Sequence, residues 1–125
     1  MSNNTIETLD RIIKEAQARA DLCQTNIDKL QYDIDMYVTL KDVLDENLSV
    51  LKQSDTIASI PEYKKANIEK QAVTKRLSEL YEAKNMFIGS LSAVVLVMEK
   101  ALSQYADAVK IQEAGNVIYV NFKRE

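Results

Sequence analysis

Residues 77–109 read LSELYEAKNMFIGSLSAVVLVMEKALSQYADAV, the densest apolar ground in the chain. At helical spacing one apolar line runs Leu77, Leu80, Phe87, Leu91, Val94, Met98, Ala101 and Tyr105. A second runs beside it through Tyr81, Ile88, Val95, Leu102 and Val109, each seven residues after the last. Two adjacent heptad lines make a face wider than one partner helix can cover. That width predicts an assembly of several helices. Leu77, Tyr81, Ile88, Leu91, Val95, Met98, Leu102, Tyr105 and Val109 are the candidate contacts with other subunits.

Upstream, an alternating three-four spacing runs through Ile6, Leu9, Ile13, Ala16, Ala20, Cys23, Ile27, Leu30, Ile34, Tyr37, Lys41, Leu44, Leu48 and Leu51. Only Lys41 is polar, so the register predicts a helix over about 6–53. Thr5, with Glu7 after it, fits an N-cap. Late in this helix Met36, Leu40, Val43 and Val50 form a second apolar line, read as a further contact surface.

The pattern fades at Gln53-Ser54-Asp55, and Ser59-Ile60-Pro61-Glu62 reads as a new helix start. Ser59 can cap, Pro61 tolerates the first turn, and Glu62 completes a capping box. The second helix is expected over about 60–114, with Gly115 as its stop. A link over 54–59 makes the two helices antiparallel neighbours.

Charge agrees with that pairing. Reflection through position 57 sets 28–46, with Asp28, Asp33, Asp35, Asp42, Asp45 and Glu46 against only Lys29 and Lys41, opposite 68–86, with Lys70, Lys75, Arg76 and Lys84 against Glu69, Glu79 and Glu82. Complementary flanks fix register in coiled-coil hairpins. Lys41 and Lys84 fall on core lines, where an ammonium must snorkel or meet an acid of another helix. Mid-helix Gly89, with Ser90, Ser92 and Ala93 after it, would let another backbone come close.

After Gly115, Val117, Ile118, Tyr119, Val120 and Phe122 give a β-branched and aromatic run, which predicts a C-terminal strand over about 116–122. A lone strand has no ladder partner, so it is expected to pair with a copy in a neighbouring subunit or with another protein's sheet edge. The expected fold is therefore all-α: one domain over 1–125, a long antiparallel coiled-coil hairpin in an oligomeric bundle, closed by a short β-strand.

Composition limits the function. The 125 residues hold two glycines, one proline and no tryptophan, and 16 basic against 19 acidic residues give a net charge of -3. Such mild acidity does not suggest nucleic acid as a main partner. Lys64, Lys65, Lys70, Lys75 and Arg76 make a basic stretch, but Glu62, Glu69 and Glu79 interrupt it. Without histidine, the commonest general base and metal ligand is missing. Cys23 lies on a core line, and Asp33 and Asp35 point to nearly opposite sides of a helix. No catalytic residues, metal or cofactor are expected, and the chain is read as a non-enzyme.

Neither a secretory signal nor a membrane span is expected, because the apolar run from Met86 to Met98 falls short of the roughly 20 residues a bilayer requires. Prefoldin-like chaperones also pair antiparallel helices, but they carry β-hairpins where this chain has a short link. The expectation is a cytoplasmic structural or assembly subunit that forms homo-oligomers or joins other protein subunits, as in a phage or viral particle. An adaptor that binds a partner by strand addition and an oligomeric nucleic-acid accessory protein are the alternatives.

Overall fold

The computed structural model describes residues 2–54 and 59–124, with side chains placed at 4–54 and 60–115. Two helices account for these residues: α1 (Ser2–Gln53) and α2 (Ser59–Arg124). They pack as a hairpin. By contact the chain divides into two compact units, Thr25–Ile88 and Met1–Gln24 with Gly89–Glu125.

In Thr25–Ile88, a core of Ile34, Leu44, Val73, Leu77 and Leu80 joins α1 to α2, with Leu30 and Tyr37 packed against it. Ile34 is the most enclosed, at 1 % exposure. Lys70 Nζ lies 2.6 Å from Asp45 Oδ1, and the Lys84 ammonium donates to Gln31 Oε1. Both contacts fit an antiparallel register. Lys84, expected to snorkel or meet an acid of another helix, thus meets an amide, and Lys41 is half-buried.

In the other unit the buried apolar side chains among the described residues are Leu9, Ala16, Ala20 and Ala101. Alanine contributes little apolar area, so these layers gain less from burial than the leucine and isoleucine layers of Thr25–Ile88. An apolar cleft of about 280 Å³ lies between Ile12, Ala16 and Arg19 of α1 and Ala93, Val94 and Val97 of α2. On the exposed face of α1, Lys14 pairs with Asp10 at 2.9 Å, and that hydrogen bond raises the Lys14 pKa.

Three local expectations are corrected. α1 begins at Ser2, which places Thr5 inside the helix rather than at its cap. Ser2-Asn3-Asn4 contains no helix breaker, and the Thr8 hydroxyl donates to the Asn4 carbonyl at 2.7 Å. Gly115 does not stop α2: no glycine has a positive φ among the described residues, and the helix runs on to Arg124. Residues 116–122 are accordingly helical where a strand was expected, and no strand occurs among the described residues. The reason is hydrogen bonding. A helix satisfies its backbone groups internally, whereas an isolated strand leaves its donors and acceptors without a ladder.

Candidate interaction surfaces

The burial pattern sorts the apolar lines by what a single chain can cover. All fourteen positions of the α1 line from Ile6 to Leu51 are buried or half-buried. So are Leu77, Leu80, Phe87, Leu91, Val94, Met98, Ala101 and Tyr105 on α2. One line on each helix is thus covered within the hairpin.

The second lines fare differently. Tyr81 is 46 % exposed, Ile88 and Leu102 are also open, and Val95 and Val109 are half-buried. On α1, Met36, Leu40, Val43 and Val50 are all exposed. Large apolar side chains in contiguous, unshielded lines are the usual mark of an interaction surface.

The candidate contacts therefore split into two groups. Leu77 is only 6 % exposed and belongs to the core shared with α1. Leu91, Met98 and Tyr105 lie on the same line and are half-buried. Tyr81, Ile88, Val95, Leu102 and Val109 form the open or partly open line. The side chains of Val117, Ile118, Tyr119, Val120 and Phe122 lie outside the described residues.

Met86, Leu96 and Val97 are exposed apolar residues that the two heptad lines do not include. Their signal was nevertheless present, since 86–98 is apolar on nearly every side of the helix. Such a segment is ordinarily buried all round. α2 also contains a stretch long and apolar enough to cross a membrane, with mean hydropathy 1.6 over 18 residues, and only 6 % of that stretch is buried.

Several polar groups on the hairpin engage one another. Lys70 engages Asp45, and Arg76 pairs with Glu79 at 3.3 Å while lining a cleft with Asp33, Met36, Tyr37 and Leu40. Cys23 is half-buried on the α1 line. Among the described residues no group of three or more His, Cys, Asp or Glu side chains is placed to hold a metal ion. The chain matches no protein-family model, no curated protein and no solved structure.

Proposed function

We propose that this chain is a non-enzymatic structural or assembly subunit of the cytoplasm that associates with copies of itself through open helical faces. One observation carries the reading: the most apolar part of α2 is among the least covered, with Met86, Ile88, Leu96, Val97 and Leu102 all exposed in a single chain. Water-exposed apolar area of this extent is unfavourable at about 25 cal/mol per Å², and burial against further helices removes it. The described buried apolar residues of Met1–Gln24 with Gly89–Glu125 are mostly alanine, which supports added packing from outside the chain.

A multi-subunit particle such as a phage or viral structure suits a protein of this design. The basic stretch of α2 is partly neutralised by Asp45 and Glu79, which favours protein over nucleic acid as partner.

Multi-angle light scattering on the purified native chain tests the reading. The expected result is a mass that is a multiple of 14.2 kDa and persists on dilution to the micromolar range. A folded species of single-chain mass would overturn it.

A further inference from the structure

Along α2 a seam alternates four and three residues through Lys75, Glu79, Glu82, Met86, Gly89, Ala93, Leu96, Lys100, Ser103 and Asp107, and every position on it is exposed. Its centre is apolar: Met86 is 69 % and Leu96 67 % exposed. A Cβ added at Gly89 would meet no atom within 4 Å, so no contact among the described residues calls for this mid-helix glycine.

We propose that two copies of the chain dock α2 against α2, antiparallel, along this seam. The inference deepens the proposed self-association and rests on it. An antiparallel pairing centred on position 91 sets Met86 opposite Leu96 of the second copy and Gly89 opposite Ala93. The same register sets Glu82 opposite Lys100 and Lys75 opposite Asp107. Each pair occurs twice by symmetry, as an isologous interface demands. Glu79 falls opposite Ser103, so no like charges meet.

The parallel alternative, in register, stacks Lys75, Glu79, Glu82, Lys100 and Asp107 each on its own copy. Like charges brought together at an interface are strongly unfavourable. Charge therefore selects the orientation, while Met86 and Leu96 supply the apolar contact. The layers of Gly89 and Ala93 at the middle, lacking bulk, bring the two backbones close there. This gives the mid-helix glycine a packing reason despite its weak helix propensity.

Site-directed crosslinking of the full chain tests the proposal. In a Cys23→Ala background, Met86→Cys and Leu96→Cys proteins of different tag length are mixed and oxidised. The mixed disulfide between the two variants is expected to exceed either homodisulfide, because only facing positions meet disulfide geometry. Charge exchange is the second measurement. Glu82→Lys is expected to weaken association about tenfold or more, and Glu82→Lys with Lys100→Glu to restore it. Homodisulfides in excess, or an unrestored double variant, would overturn the antiparallel seam. An oligomer that persists without any crosslink would do the same, yet leave the self-association reading standing. A single-chain mass for the unsubstituted protein would remove both.

Discussion

Asp45 and Lys70 bridge α1 and α2 at 2.6 Å, and the next such contact, Gln31 with Lys84, lies fourteen residues further along both helices. Fourteen residues are two heptads. Equal spacing on both helices of the hairpin means that neither gains on the other between the two contacts, so one antiparallel register holds over this stretch. Both partners of the Asp45–Lys70 pair are more than a third exposed, so its value lies in alignment rather than stability. Asp45→Lys is expected to destabilise only slightly, and Asp45→Lys with Lys70→Asp to recover most of the loss. A double-mutant cycle by urea denaturation should return a coupling of about 0.2–1 kcal/mol.

Ile34 is where the hairpin is most sensitive to lost volume. It is 1 % exposed and packs in one cluster with Leu44, Val73, Leu77 and Leu80. Ile34→Ala is expected to cost about 2–5 kcal/mol, read as a lower urea midpoint by circular dichroism at 222 nm. A loss below about 1 kcal/mol would mean that this cluster is not the core.

Gly115 distinguishes a helix that continues from one that stops. Its φ is not positive, and an added Cβ meets no atom within 4 Å. Gly115→Ala is therefore expected to stabilise the end of α2 by about 0.5–1 kcal/mol and to raise helicity. Were Gly115 a left-handed cap, the same change would destabilise. Carbon chemical shifts of residues 116–122 read the two cases apart.

Lys41 occupies a core position on α1 and is half-buried. A polar residue at such a position fixes oligomer number at some cost in stability. Lys41→Leu is expected to raise the melting temperature and change the mass of the assembly in light scattering. An unchanged mass would assign Lys41 no part in subunit number.

Val43, on the open second line of α1, is 56 % exposed. Val43→Glu is expected to leave the stability of the single chain within about 0.5 kcal/mol while lowering the mass of the assembly. A large drop in stability without a change in mass would place Val43 in the internal packing of the hairpin.

Most of the hairpin was legible because heptad spacing is a property of the chain that packing has to respect. Ile6 to Leu51 could be followed without a break, and every one of those positions is covered. The open lines were legible for the same reason, since Tyr81 and Ile88 sit beside a line already fully used. What misled was local preference. Val117 to Phe122 carries strong β propensity, and Gly115 has the conformational freedom of a helix stop, but neither supplies a ladder. Thr5 offered a cap that three helix-compatible residues before it made unnecessary. The packing of Leu77 against α1 was not legible, because density of apolar residues does not say which member of a pair of lines the partner helix takes.

A hairpin joined near position 57 brings together residues whose distance along the chain grows steadily away from the turn. Closing a loop costs more entropy as it lengthens, though only logarithmically, and early contacts shorten every later loop. Folding should accordingly start around Ala66, Val73 and Leu48 and proceed zipper-like toward the termini, where alanine-rich layers give the least return. Opening retraces that path. Amide hydrogen exchange slowest near Ile34 and Leu80 and fastest beyond Ala101 would be its signature, and subunits that add their own helices late would latch the fraying end last.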